Sequence, residues 1–401
     1  MPLEQPAAIR GVRLSTATAG IRKTGKLDLC VFEICRGASV AGVFTRNIFC
    51  AAPVTLAREH LAAARARLLV INSGNANAGT GEAGIQDARD VCEAAGALVG
   101  CSASEVLPFS TGVIGQRLPA AKIIAALPKA IHDLGDFSWD AAARAIMTTD
   151  TVPKCFSVEV KCDSRTYSVT GIAKGAGMIK PNMATMLAFI ATDAAIPQAD
   201  LSNLLESTVN RTFNRITIDG DTSTNDSCIL IATGQSDPNE LVCKKHPDWN
   251  DLSAAIVDVA NKLARAIVRD GEGATKLVTV DVRGGRTLED CLKAAFTVAE
   301  SPLVKTALFA SDPNWGRILA ALGRSGVEGL KMSDLAISLN DCPIVKGGEP
   351  VADYDESLAA KIMAQPEFDI RIDIGHCATQ ASVLTCDFSF EYVRINAEYR
   401  S

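Results

Sequence analysis

Residues 171–193 read GIAKGAGMIKPNMATMLAFIATD, and this stretch decides the fold and the chemistry that we predict for the chain. Its first half mixes glycines with two lysines and ends in Pro181-Asn182, a pattern typical of a loop rather than of a regular helix or a central strand. Its second half, Met183 to Ala191, is an apolar run with the length of a buried strand. We therefore predict a loop that leads into a buried strand, with Ala184 and Thr185 at the junction.

The hydroxyl of Thr185 becomes a good nucleophile only when a base removes its proton, and the α-amine of an N-terminal threonine is one such base. A free α-amine has a pKa near ~8, and a nearby cation lowers it further. An internal threonine has no α-amine, so cleavage of the chain before Thr185 would create the catalyst. A threonine in an apolar strand is otherwise a structural residue, and the residues alone leave both interpretations open.

The composition indicates a globular protein with an acidic balance. The chain has 401 residues, of which 48% are apolar and 21% charged, enough for a large core and for two lobes. The net charge of -6 argues against a nucleic-acid or anionic-membrane partner. No apolar run approaches the ~20 residues that span a bilayer, and the N-terminus has no apolar signal core, so we expect a cytoplasmic protein.

Cysteine and histidine usage argues against disulfides and metals. The thirteen cysteines are odd in number, scattered and without a C-x-x-C pair, which is typical of free thiols in a reducing compartment. The four histidines show no ligand-like spacing, and the neighbours His376 and Cys377 are more often structural than metal-binding. We expect no metal.

Apolar patterns alternate between strand and helix lengths and predict a mixed α/β protein. A strand, Leu68 to Asn72, precedes a Gly/Asn-rich loop at residues 73–81 and a helix, Gly84 to Leu98. The loop resembles a phosphate cradle but lacks the lysine of a P-loop. The residues 216–226, ITIDGDTSTND, lack the glutamate of a calcium loop and read as a turn region that supports a site. Strand and helix patterns after about residue 283 predict a smaller α/β lobe.

In residues 106–115 a strand ends at the turn Ser110-Thr111-Gly112, and a segment of small residues follows. Acyl transfer needs donors aimed at the oxyanion, commonly a hydroxyl and a backbone N–H. Thr111 offers the hydroxyl, and Gly112 allows the backbone to approach closely. A simple turn is the alternative.

The segment KGAGMIKPNMATMLAFIATDA, residues 174–194, resembles the cleavage-site signature of the ornithine acetyltransferase family, also called bifunctional glutamate N-acetyltransferase. The resemblance implies an α/β fold of stacked sheet and helix layers, of the N-terminal-nucleophile-like type. It also implies cleavage between Ala184 and Thr185 into an α chain, 1–184, and a β chain, 185–401, which assemble as α2β2.

The same resemblance assigns roles to individual residues. Thr185 is then the nucleophile, and Thr111 with Gly112 forms the oxyanion hole. The threonine that contacts substrate is Thr151, although Thr149 is the alternative. The remaining substrate-binding positions match Lys174, Glu272, Asn396 and Ser401.

The implied reaction moves the acetyl group of N2-acetylornithine to glutamate by a ping-pong mechanism, in arginine biosynthesis. No cofactor is needed, and acetyl-CoA is a further co-substrate in bifunctional relatives. Two alternatives stay open. The first is an N-terminal-nucleophile aminopeptidase or amidase that passes its acyl group to water. The second is a binding module that holds a nucleotide at residues 73–81.

Overall fold

The computed structural model describes residues 6–22, 25–136, 139–162, 165–180, 186–237 and 239–398. The chain divides into two compact units. Unit 1 contains the chain up to Gly175 together with Pro181–Asn214 and Thr222–Ile267. Unit 2 contains Ala176–Lys180, Arg215–Asp221 and the chain from Val268 onward. Among the helices of the described ranges, none has the length and apolar character needed to cross a membrane.

Unit 1 is built from nine strands and six helices within the described residues. The strands are β1 (Val12–Ala17), β2 (Leu29–Ile34), β3 (Ser39–Phe44), β4 (Leu68–Asn75), β5 (Val106–Val113), β6 (Lys154–Cys162), β7 (Arg165–Lys174), β8 (Leu187–Thr192) and β9 (Ser227–Ala232). The helices are α1 (Ala52–Ala63), α2 (Gly81–Val99), α3 (Ala120–His132), α4 (Trp139–Ala145), α5 (Gln198–Arg211) and α6 (Trp249–Arg269), whose last two residues belong to unit 2.

The strands of unit 1 form two sheets that pack face to face. One sheet has the order β1-β2-β4-β5 and the other has the order β3-β9-β8-β7-β6. Phe189 of β8 contacts Phe32 and Phe109 of the first sheet, with ring centroids 5.4 and 5.1 Å apart. All three rings are buried, so an apolar core fills the space between the sheets.

Helices cover the outer faces of both sheets. Apolar side chains of α2 and α3 share a core cluster with the outer residues of β2 and β4. On the second sheet, Gly171 of β7 lies so close to α6 that a Cβ there would be 3.0 Å from both Val259 and Leu263. Unit 1 therefore has the layer order helix, sheet, sheet, helix, as the α/β prediction requires.

Unit 2 contains one six-stranded sheet and its own core. The strands are β10 (Leu277–Gly285), β11 (Ala336–Leu339), β12 (Cys342–Lys346), β13 (Glu349–Pro350), β14 (Glu367–Asp373) and β15 (Thr379–Cys386), in the order β13-β12-β11-β14-β10-β15. The helices are α7 (Leu288–Ala299), α8 (Pro302–Ala310), α9 (Trp315–Gly323), α10 (Glu356–Met363) and α11 (Phe390–Ala397). Valines of β10 and alanines of α7 lie in the same buried cluster.

The α/β fold class is confirmed, and several local predictions need correction. Ser110, Thr111 and Gly112 are not a turn after a strand, because β5 continues through Val113. Lys174 is not in a loop but is the last residue of β7, which pairs with strands on both sides. The apolar run after Thr185 forms a strand only from Leu187 onward. Helix α1 and strand β9 were missed.

Candidate active site

The carboxyl ends of β4 and β5 leave no room for a side chain at Gly112. These two strands run parallel, with Ser73 opposite Thr111 and Gly74 opposite Gly112. Gly112 has φ 134°, and a Cβ on it would lie 2.3 Å from the carbonyl carbon of Gly74. Backbone atoms cannot move aside as a flexible side chain can, so this position admits only glycine. Thr111 and Gly112 thus lie at a strand end, which is a common position for reactive groups in α/β proteins.

The hydroxyl of Thr111 is held by Lys174. The Nζ atom of Lys174 donates a hydrogen bond to Oγ1 of Thr111 at 3.0 Å. Thr111 is buried and Lys174 partly buried. Two residues predicted to serve one site, 63 positions apart in sequence, are therefore in direct contact.

A buried ion pair supports the end of β7. Lys154 donates to Oδ1 of Asp150 at 2.7 Å, and both side chains are almost completely buried. The same oxygen accepts the backbone N–H of Gly175, the residue after Lys174, at 2.7 Å. Burial opposes the ionisation of Asp150, but the charges of Lys154 and Lys174, with the hydrogen bonds from Lys154 and Gly175, lower its pKa to about 2.

Two further polar residues that sequence reasoning did not single out lie near the end of β5. Asn225 donates through Nδ2 to the carbonyl oxygens of Ala76 and Ser110, at 2.6 and 2.9 Å, and so ties the segments after β4 and within β5 together. Burial raises the pKa of its neighbour Asp226 well above the ordinary value, although Ser223 and the charge of Lys174 oppose the rise. The Asp/Asn/Thr-rich composition of this loop was the available signal.

Asparagine side chains of the loop at residues 73–81 form hydrogen bonds with the protein's own backbone. Asn75 donates through Nδ2 to the carbonyl oxygens of Gln116 and Arg117, and Asn77 donates to that of Gly84. Oδ1 of Asn75 also accepts the backbone N–H of Asn77. These bonds give the asparagines a structural role, which disfavours the nucleotide-binding alternative.

In unit 2, Glu272 and Asn396 are in contact. Asn396 of α11 donates through Nδ2 to Oε2 of Glu272 at 2.8 Å. A Cβ on Gly177 would lie 2.4 Å from that carboxylate, so glycine at this position leaves room for it. The backbone N–H of Glu272 also donates to the carbonyl oxygen of Ala176 at 2.7 Å.

The segment 176–180, which precedes the predicted cleavage site in sequence, is fixed within unit 2. The carboxylate of Asp219 accepts the backbone N–H groups of Met178 and Ile179, at 2.5 and 2.9 Å. Lys180 donates to Glu300 at 2.9 Å. Burial raises the pKa of Asp219, opposed by its backbone donors. Such a set of contacts holds this strand-free stretch in one conformation.

The remaining predicted residues are placed as follows. Ala184, Thr185 and Ser401 lie outside the described residues. Thr151 is exposed and Thr149 partly buried, and both lie beside Asp150, so the choice between them stays a prediction. In the described ranges, no three His, Cys, Asp or Glu side chains cluster as a metal site would.

Comparison with known proteins shows the class to which this fold and these residues belong. Residues 13–401 match the model of the ArgJ family. The chain is 52% identical over 400 residues to the arginine biosynthesis bifunctional protein ArgJ of Pseudomonas syringae pv. tomato, covering all of this chain and 98% of the relative. It is 53% identical over 393 residues to the ArgJ protein of Methylococcus capsulatus, covering 98% and 96%.

A solved structure of an ArgJ protein is also similar to this chain. The crystal structure of the arginine biosynthesis bifunctional protein ArgJ from Bacillus halodurans is 38% identical, with a TM-score of 0.51, and covers 54% of this chain and 100% of its own. The chain therefore belongs to the ArgJ family, and the suspected resemblance to the ornithine acetyltransferases is confirmed.

Replacing Asp150 with Asn should destabilise the protein by about 3–5 kcal/mol, because Lys154 would keep its buried charge and lose the carboxylate that is paired with it. The folded-state pKa of about 2 lies below the ordinary value near ~3.9. The stabilising contribution is therefore complete above that ordinary value and disappears as the pH falls towards the folded-state pKa. Urea unfolding at several pH values measures it.

The control for this prediction is the double variant D150N/K154M, which removes both charges and should recover much of the lost stability. An equal loss in D150N and in the double variant would contradict the ion-pair explanation. A gap between wild type and D150N that did not narrow in acid would contradict it too.

Gly112→Ala should cost more stability than Gly115→Ala, although both glycines have positive φ values of 134° and 79°. A Cβ at Gly115 meets nothing within 4 Å, so that variant carries only the backbone strain of about 1–2 kcal/mol. At Gly112 the overlap with Gly74 adds to this strain. The free energies of unfolding of the two variants provide the test, and equal losses would refute the close-approach argument.

Proposed function

We propose that the chain transfers the acetyl group of N2-acetylornithine to glutamate in arginine biosynthesis, as an acyltransferase with a threonine nucleophile. The observation that carries this proposal is the Thr111 hydroxyl, held by Lys174 at the strand end beside Gly112. A hydroxyl and a backbone N–H at such a position suit the oxyanion of a tetrahedral acyl intermediate. The names of relatives more than half identical to this chain support the pathway.

The nucleophile is made by cleavage of the chain. The hydroxyl of Thr185 attacks the carbonyl of Ala184, the C–N bond breaks as the ester forms, and water hydrolyses the ester to leave fragments 1–184 and 185–401. The new α-amine of Thr185 is then available as a base. The length of the Bacillus halodurans chain supports this step: it corresponds to 54% of this chain, the share that residues 185–401 represent.

In the mature enzyme, the α-amine of Thr185 takes the proton of its own hydroxyl as the oxygen attacks the acetyl carbonyl. Thr111 and Gly112 stabilise the oxyanion, and the proton passes to the departing ornithine nitrogen. The amine of glutamate next attacks the carbonyl carbon of the acetyl-threonine ester, and the bond from that carbon to Oγ1 of Thr185 breaks. The proton lost by the glutamate amine passes through the α-amine of Thr185 to Oγ1, and acetylglutamate leaves. The residues that bind the substrates are Thr151, Lys174, Glu272, Asn396 and Ser401.

Three further attributes belong to the proposal. The reaction uses no cofactor, with acetyl-CoA as an alternative acetyl donor. The two fragments assemble as α2β2. The protein works in the cytoplasm, which is supported by its cysteines: all thirteen are free thiols and lie in the described ranges.

Incubation of the enzyme with N2-acetylornithine and glutamate should yield ornithine and acetylglutamate in equal amounts. An aminopeptidase or amidase of the same architecture would release acetate instead, because its acyl-enzyme passes to water. Quantifying acetate and acetylglutamate by mass spectrometry separates the two. A reaction without glutamate is the control, and acetate as the main product in the complete mixture would overturn the transferase assignment.

The variant Thr185→Ala should appear on a denaturing gel as a single uncut polypeptide of 42.2 kDa, since no hydroxyl can start the acyl shift. Thr185→Ser keeps a hydroxyl at the same position and should still be cut, which makes it the matched control. Two fragments from T185A would refute the cleavage chemistry, and so would an active wild-type protein of one continuous chain.

A further inference from the structure

The direction of the hydrogen bond between Lys174 and Thr111 determines where the hydroxyl proton of Thr111 points. A lysine ammonium carries three donors and no acceptor, whereas a threonine hydroxyl has one proton and two lone pairs. Nζ of Lys174 must therefore donate, and Oγ1 of Thr111 must accept. The proton of Thr111 is excluded from this contact and points to another acceptor.

We propose that Lys174 is a positioning residue for the oxyanion hole: it occupies a lone pair of Thr111 and so directs the hydroxyl proton towards the substrate carbonyl oxygen. This role is additional to substrate binding by Lys174, and it rests on the proposed acetyl transfer. Without the ammonium, the hydroxyl can rotate and present a lone pair to the oxyanion, which repels it. Donation from a cation also polarises the hydroxyl and strengthens it as a donor.

The surroundings of Lys174 are suited to this task. Its backbone is fixed by β7, in which Lys174 pairs with Leu187 of β8. The following N–H, of Gly175, is bound by Asp150. The base of the side chain therefore has a defined position, which a residue that orients a neighbour needs.

The charge of Lys174 acts on two buried acids, Asp150 and Asp226, and favours the ionised form of each. Lys154, the first residue of β6, makes a direct contact with Asp150, so this carboxylate already has a counter-ion. Asp226, the other nearby acid, is buried and hydrogen-bonded with Ser223. Nζ of Lys174 makes a hydrogen bond to Thr111 in the presence of these two acids.

A double-mutant cycle tests this role. The variants T111A, K174M and T111A/K174M are compared with wild type by kcat and by KM for both substrates, with rates expressed per cleaved molecule on a denaturing gel. T111A should lower kcat by ~10²–10³-fold, and K174M by at least ~10-fold through Thr111. In the T111A background, K174M should change kcat less than threefold, because the hydroxyl it orients is gone.

The same kinetic data distinguish substrate binding by Lys174 from its positioning of Thr111. Loss of a substrate contact by K174M should raise KM by a similar factor in both backgrounds. T111S, which keeps a hydroxyl, should retain K174M sensitivity in kcat, and K174R, which keeps a charged donor, should restore most of the kcat lost in K174M. Recovery of kcat by K174R would show that the loss in K174M comes from the missing charged donor and not from a change in structure. K174R can also be measured if K174M folds poorly.

The outcomes are distinct. Multiplicative kcat losses in the double variant, or K174R as slow as K174M, would overturn the positioning role and leave the transferase intact. A T111A enzyme with normal kcat would instead contradict the oxyanion role of Thr111, and with it the proposed mechanism.

Discussion

The pairing of β4 and β5 at Gly74 and Gly112 is the constraint on which the proposed chemistry of unit 1 depends. The backbone leaves no room for a side chain at Gly112, because a Cβ there would lie 2.3 Å from the carbonyl carbon of Gly74. The approach brings Thr111 to a fixed position beside a backbone that carries no side chain. Asn225 holds the same two segments through two carbonyl oxygens, so the approach is supported from outside the strands.

The buried ion pair in unit 1 fixes the backbone at the end of β7 at a low net cost in free energy. Asp150 and Lys154 neutralise each other, and their pair also binds the N–H of Gly175. An isolated buried ion would be costly, and a pair becomes tolerable when hydrogen bonds satisfy its remaining groups. The pair thus supports the end of β7, where Lys174 lies.

Sequence reasoning found the elements whose signal is local and missed those whose signal is distant. The helix predicted from Gly84 to Leu98 is confirmed as α2, because its apolar pattern lies within one segment. The strand through Ser110-Thr111-Gly112 was not predicted, because small polar residues read as a turn unless a neighbouring strand supplies their hydrogen bonds. Lys174 was assigned to a loop for the same reason. The glycines after it indicate a loop, and the pairing of β7 with β6 and β8 is not visible in the sequence.

The site residues show the same limit. The roles of Thr111, Lys174 and Glu272 came from resemblance to a family, and no spacing rule predicts that residues 63 positions apart touch. Asp150 and Asn225 act on backbone groups, a function without a sequence motif. What sequence did provide was composition: a Thr/Asp cluster at one position and an Asp/Asn/Thr loop at the other. Composition indicates polar segments, whereas the structure shows which of their atoms are in contact.

The arrangement of strands also explains how the fold tolerates the proposed cut before Thr185. In the second sheet of unit 1, β7 and β6 precede the cut in sequence, β8 and β9 follow it, and β3 precedes it again. Two ladders, β7 with β8 and β3 with β9, therefore join the fragments by backbone hydrogen bonds over six residue pairs each. In unit 2, Asp219 binds segment 176–180 across the same cut. Breaking the peptide bond between Ala184 and Thr185 would remove none of these interactions. The interactions that hold the fold together therefore do not depend on that bond.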